Sequence, residues 1–211
     1  NLIDKVKKRP ADLLELANMA EGMFYDDTAR LPIDLAYLPF AKAVAANKKI
    51  NATQRDKFAI QASVIENSQP GKPLPPAELK LADGTTLALN DTTAGANEYV
   101  LIFDTPGSWS GRMQRTQLAA NVSASELIAA NLIKPIFIYP GTPDEKWWTD
   151  NADVPANWTV AAMPDAERYI DFRVVPAIVV ADSGKVITEK FMTMSHLIQA
   201  CELIMNQYRN Q

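Results

Sequence analysis

Thiols and imidazoles are nearly missing from this chain: its 211 residues hold one cysteine, Cys201, and one histidine, His196. A single thiol excludes an intrachain disulfide, a CxxC redox pair, an all-thiolate metal site and an iron–sulfur cluster. A single imidazole excludes most zinc sites and gives a histidine-based triad no ordinary layout. Excess positive charge is also lacking. The formal net charge of -4 offers no cationic footprint for nucleic acid or for an anionic membrane surface. No apolar run approaches the roughly 20 residues of a membrane-spanning helix. No cofactor and no metal is expected. What the chain does have is core-forming material: 47% of it is hydrophobic and 22% charged, which excludes disorder and a disulfide-stapled miniprotein. The length allows one large domain or two small ones. Residue 1 is Asn rather than Met, so it is not expected to be a natural translation start, and any signal peptide or lipid anchor is expected to have been cut away.

Residues 1–68 read as a helical N-terminal subdomain. Leu13, Leu14, Leu16, Ala17, Met19 and Ala20 recur at helical spacing behind Pro10, a residue tolerated in a first turn. A second helix spans residues 34–46, with Pro39 expected to kink it or shift its boundary. Thr53 is the expected cap of a third, whose stripe is Phe58, Ile60, Val64 and Ile65. Residues 69–76 then pack four prolines and a glycine, an extended stretch that marks the boundary with a second domain, residues 69–211. Asp83-Gly84 between two β-rich runs predicts a hairpin. Beyond it, residues 99–103, 135–139 and 177–180 are continuous apolar runs, as in strands buried on both faces. Helical segments separate them over residues 112–130 and 165–171. Residues 186–191 follow the third run, and Ser195 is expected to cap a last helix. The order predicts an α/β domain, a mixed sheet covered by helices.

A proline immediately ahead of the third buried strand, in this element order, resembles the thioredoxin-like fold. The phrase Gly71-Lys72-Pro73-Leu74-Pro75-Pro76, followed by Asp83-Gly84, is similar to the opening of redoxins and of TlpA-like thiol-disulfide proteins. Val175-Pro176-Ala177 stands where those proteins carry a cis-proline, and Asp182-Ser183-Gly184-Lys185-Val186 resembles their late turn. The N-terminal helical extension, Tyr139-Pro140-Gly141, Trp147, Pro155-Ala156-Asn157-Trp158 and Tyr169 resemble a subgroup of secreted Bacteroides-type redoxins of unknown function. The resemblance implies a periplasmic or outer-membrane-anchored protein. It also implies an active site at Thr105-Pro106-Gly107-Ser108-Trp109-Ser110-Gly111-Arg112, and there this chain departs from the pattern. Ser108 stands in the nucleophilic cysteine position and Gly111 in the resolving one. Thiol–disulfide exchange needs a thiolate, and a serine hydroxyl is not ionised usefully by a helix terminus.

Each remaining candidate has a structural and a functional reading. Cys201 lies on a stripe with Leu197, Ile204 and Met205, as an inert core thiol would, or else it is a lone reactive thiol. Ser108 is a helix N-cap, or with the free amides after Pro106-Gly107 it forms a small anion site. Trp109 packs onto the N-terminal helices, or stays exposed beside the Pro176 loop as a peptide contact. Trp147, Trp148 and Trp158 pin an insertion, or present an aromatic patch. Asp150-Asn151-Ala152-Asp153 lacks the glycine and terminal glutamate of a calcium loop. Three functions follow. One is a redox-inactive module that binds peptides or envelope proteins through Ser108, Trp109, Val175 and Pro176, with Ser108, Gly111 and Pro176 as the degenerate active-site positions. The second is an enzyme of altered chemistry using Cys201 or Ser108. The third is a structural or assembly protein acting through its helical extension or aromatic insertion.

Overall fold

The computed structural model describes residues 2–29, 31, 33–91, 95–105, 108–150 and 154–209. Pro106, Gly107 and Asn151–Asp153, part of two of the motifs above, lie outside the described residues.

Four helices, rather than three, open the chain: α1 (Leu2–Val6), α2 (Pro10–Phe24), α3 (Asp34–Ala46) and α4 (Ala52–Asn67). Pro10 is the first residue of α2, as its missing N–H permits. Asn51, not Thr53, caps α4: its side chain accepts the Gln54 N–H at 2.9 Å. Asn51 stands two residues ahead of Thr53, directly before the helix starts at Ala52, so it reaches an amide with no carbonyl to bond. Pro39 lies inside α3 without ending it. Tyr37, Ala41 and Val44 on that helix are fully buried against Leu13, Ala17, Phe58 and Ile65, and that packing outweighs the lost hydrogen bond.

The sheet has seven strands in the order β2-β1-β5-β4-β3-β6-β7. They are β1 (Glu78–Leu81), β2 (Thr86–Ala88), β3 (Glu98–Phe103), β4 (Ile133–Tyr139), β5 (Thr159–Ala162), β6 (Ala177–Asp182) and β7 (Ile187–Lys190). β3, β4 and β5 run parallel; β6 is antiparallel to β3, and the β1–β2 hairpin joins antiparallel through β5. The central strand shows why its sequence is apolar at every position. Tyr99, Leu101 and Phe103 enter one core layer, while Val100 and Ile102 enter the other, all fully buried. The second layer is covered by α5 (Trp109–Ala120), α6 (Val122–Ala129) and α8 (Met194–Arg209). The first is covered mostly by irregular chain: Leu74, Leu89, Ala96, Met163 and Ile170, with a 3-10 turn at Ala166–Arg168 where a helix was expected.

Asn121 divides α5 from α6 by accepting the Ala124 N–H at 2.9 Å, so the helical stretch of residues 112–130 holds two helices. Thr193 performs the capping expected of Ser195, its Oγ1 accepting the His196 N–H at 3.2 Å. A short helix, α7 (Glu145–Asp150), starts where Asp144 accepts the Trp147 N–H.

The proline-rich segment is stapled down. The Gly71 N–H donates to the Ile187 carbonyl, the Ile187 N–H to the Lys72 carbonyl, and the Leu74 N–H to the Lys185 carbonyl, all at 2.7–2.8 Å. The helices therefore arrive at the sheet in a defined register along β7. Side chains hold them there. Asp34 of α3 pairs with Lys190 at the end of β7, Arg173 Nη1 lies 3.3 Å from Asp171 Oδ2, and Lys190 bridges to Asp171 at 3.5 Å. The Arg173 guanidinium covers the Tyr25 ring at 4.3 Å, and the Asp171 N–H donates to Ser68 Oγ at 2.9 Å.

Candidate functional site

Register places the site. Phe103 at the end of β3 pairs with Ala177 at the start of β6, so the residues leaving β3 and those entering β6 meet at one end of the sheet. The first group leads into α5, and the second is the Val174-Val175-Pro176 loop, whose Val175–Pro176 peptide is cis.

Ser108 is the N-cap of α5, its Oγ accepting the Gly111 N–H at 3.0 Å. The capping reading of Ser108 is therefore the geometry observed. The anion-site reading loses ground for a reason the sequence did not reveal. Asp104, the first residue beyond β3, is 2% exposed, and its carboxylate sits against the same helix turn. It accepts the Thr105 N–H at 2.8 Å and a hydrogen bond from the Ser108 side chain. Burial raises its pKa above the ordinary aspartate value, opposed by those hydrogen bonds and by Arg115 and Arg112. A second anion there meets like charge.

Gly111 is buried, and the same carboxylate explains why. A Cβ added to Gly111 would overlap Asp104 Oδ2 and Cγ. Any side chain at residue 111, a cysteine included, competes with Asp104 for one volume. Asp104 is thus a site residue that sequence reasoning missed. Its signal was an acidic residue closing a five-residue apolar run directly ahead of the helix.

Trp109 is 71% exposed, and Met113, one turn later on the same helical face, is 39% exposed. Val174 and Val175 on the facing loop are 49% and 39% exposed. Trp109 does not fold back onto the N-terminal helices. The site end of the sheet instead presents tryptophan, methionine and two valines to solvent, while Pro176 lines a neighbouring cavity.

The remaining candidates fall elsewhere. Cys201 is buried in the layer under α8, and burial, helped by Glu98 and Glu202, pushes its thiol up to about 11. Reactive cysteines need the opposite shift. A water-soluble disulfide reagent is expected to leave the folded protein unmodified and to titrate one thiol after denaturation; reaction at native conditions would return Cys201 to consideration. His196 is exposed in the first turn of α8, with no ion-pair partner among the described residues. Trp147 and Trp158 are buried; Trp147 packs against Phe137, Tyr139 and Trp148 with ring centroids 4.8–6.0 Å apart, so the insertion is pinned by its aromatics. Ser108 has a carboxylate neighbour in Asp104, but its oxygen is already committed to the helix cap. No helix among the described residues is long and apolar enough to cross a membrane.

No protein-family model matches the chain, and no curated protein matches it significantly. Solved structures do. A thioredoxin-like protein from Bacteroides caccae superimposes with a TM-score of 0.73 at 17% identity, over 96% of this chain and 74% of that one. The C-terminal domain of an uncharacterized protein from Bacteroides fragilis gives a TM-score of 0.57 at 21% identity, over 64% of this chain and 99% of its own. A thiol:disulfide interchange protein from Bacteroides sp. gives 0.53 at 16% identity, over 66% of this chain and 92% of its own. With a parallel β3–β4–β5 core, antiparallel β6 and β7, and a proline loop facing the start of α5, the chain has the thioredoxin-like fold.

Proposed function

We propose that this chain is a binding module without thiol–disulfide activity, which receives an extended peptide or protein segment on the surface between α5 and the Val174-Val175-Pro176 loop. The observation that carries the reading is the pairing of two features at one place. The resolving position is filled by the Asp104 carboxylate, and the surface beside it keeps Trp109 71% exposed, with Met113, Val174 and Val175 around it. Exposed tryptophan flanked by apolar groups is the kind of residue that anchors binding. Residues 1–68 serve as a helical subdomain and residues 69–211 as the thioredoxin-like domain. The partner belongs to the cell envelope, in the periplasm or at an anchored position on the outer membrane.

The test is a binding titration of a labelled extended peptide alternating valine and serine, alongside capture from an envelope extract. The Trp109→Ala and Val175→Asp variants should each weaken peptide binding about tenfold or more and lose the captured partner. Unchanged binding and capture in both variants would remove the function from this surface. No observation favours the assembly reading based on the aromatic insertion, because Trp147 and Trp158 are spent in the core.

A further inference from the structure

Beside the surface just described lies a cavity of about 470 Å³, lined by groups from four separate parts of the chain. Asp26 and Asp27 come from the turn after α2, Gln114 from α5, Val174 and Pro176 from the proline loop, and Met192 from the connection into α8. The thioredoxin-like part alone would leave this cavity open on one side; the helical extension supplies its acidic wall.

The charges that reach it can be followed one by one. Arg173 also lines the cavity, but its guanidinium faces Asp171 and Asp34 and covers the Tyr25 ring. Lys190, behind it, faces the same two carboxylates. Two cations and two anions cancel. That leaves Asp26 and Asp27, with which no basic side chain among the described residues forms an ion pair. The closeness and like charge of Asp26 raise the Asp27 pKa. Among the described residues, the cavity lining is therefore net negative. Its other walls are apolar apart from the Thr193 hydroxyl and Gln114, with Phe191 beside the aliphatic and thioether groups, and Gln114 Oε1 is shielded from solvent with no donor among the described residues. An acceptor left in that state is stabilised by an incoming N–H.

We propose that this cavity is a subsite for a basic side chain of the bound peptide, an arginine or lysine. The aliphatic stem would run along Val174, Pro176 and Met192, and the cationic head would meet Asp26 and Asp27, with an N–H donated to Gln114 Oε1. A long cationic side chain suits such a lining because its methylenes tolerate apolar surface while its end seeks charge. The inference rests on the peptide-binding reading and names its substrate class: extended segments that are apolar with a basic residue.

The experiment uses three labelled peptides, identical but for a central arginine, glutamine or glutamate, together with free butylguanidinium. They are titrated against the full chain, Trp109→Ala, and the Asp26→Asn/Asp27→Asn double variant. The arginine peptide should bind about fivefold or more tighter than the glutamine peptide, with the glutamate peptide weakest. The double variant should bring the arginine and glutamine peptides to equal affinity without weakening the glutamine peptide, and added salt should narrow the same ratio. Trp109→Ala should weaken all three alike. Peptides that bind with Trp109 dependence but no charge preference overturn the subsite and leave the groove in place. If no peptide binds, the groove itself fails and takes the subsite with it. Butylguanidinium binding as tightly as the arginine peptide would make the occupant a free small cation and overturn the peptide assignment.

Discussion

Gly111→Ala is expected to cost about 2–3 kcal/mol of stability, an unusually large effect for the addition of one methyl group. The new Cβ overlaps the Asp104 carboxylate, which is 2% exposed and held by the Thr105 N–H and the Ser108 side chain. The carboxylate moves only by giving up those hydrogen bonds, and a buried charge without them is costly. The same clash governs any attempt to rebuild thiol chemistry. Ser108→Cys with Gly111→Cys would place a CxxC motif at the start of α5, yet the pair should be strongly destabilised and should not reduce a disulfide substrate. Adding Asp104→Ala removes the obstruction and should recover folding. Chemical denaturation of Gly111→Ala, Asp104→Ala and the two combined reads this directly. The combined variant should be more stable than the sum of the single effects predicts, because each change relieves the other. Additive effects would show that Asp104 does not guard the position.

Lys190→Met is the second large effect expected, at about 3 kcal/mol. Lys190 is 12% exposed and lies between Asp34, 12% exposed, and Asp171, 1% exposed. Removing the lysine leaves two neighbouring carboxylates with Arg173 as their shared cation, and breaking a buried pair by taking one partner is far costlier than replacing both. Asp34 shows the balance. Burial acts to raise its pKa, but the hydrogen bond and charge of Lys190, with Arg173 and Gln69, bring the net below the ordinary value. Asp171, more deeply buried, is raised by burial despite Arg173 and Lys190. The loss in Lys190→Met should be focused on the contact between the helices and the sheet. Limited proteolysis should then cut first in residues 69–76, and Asp34→Leu combined with Lys190→Met should recover most of the stability. Uniform loss, with no recovery in the pair, would mean that the ions do not hold α3 to β7.

Local pattern alone determined a good deal. The apolar runs at 99–103, 135–139 and 177–180, the Asp83-Gly84 hairpin and the helical spacing of residues 13–20 are all decided by neighbours in sequence, since periodicity and turn chemistry act over a few residues. That the chain has a single cysteine and no CxxC motif was also legible. The cap at Ser108 could be read for the same reason: a cap is a contact three residues long. What the sequence did not determine was everything that depends on distant segments meeting. β5 (Thr159–Ala162) is too short to announce itself and exists as a strand because it bridges β4 and β1. Asp104 shows locally only as an acidic residue closing an apolar run; that its carboxylate stands where a side chain at 111 would lie follows from the end of β3 being pressed under the first turn of α5. The acidic wall of the cavity likewise needs residue 26 beside residue 176. Only the docking of the helical extension brings them together, and the ion cluster of Asp34, Asp171, Arg173 and Lys190 holds that docking.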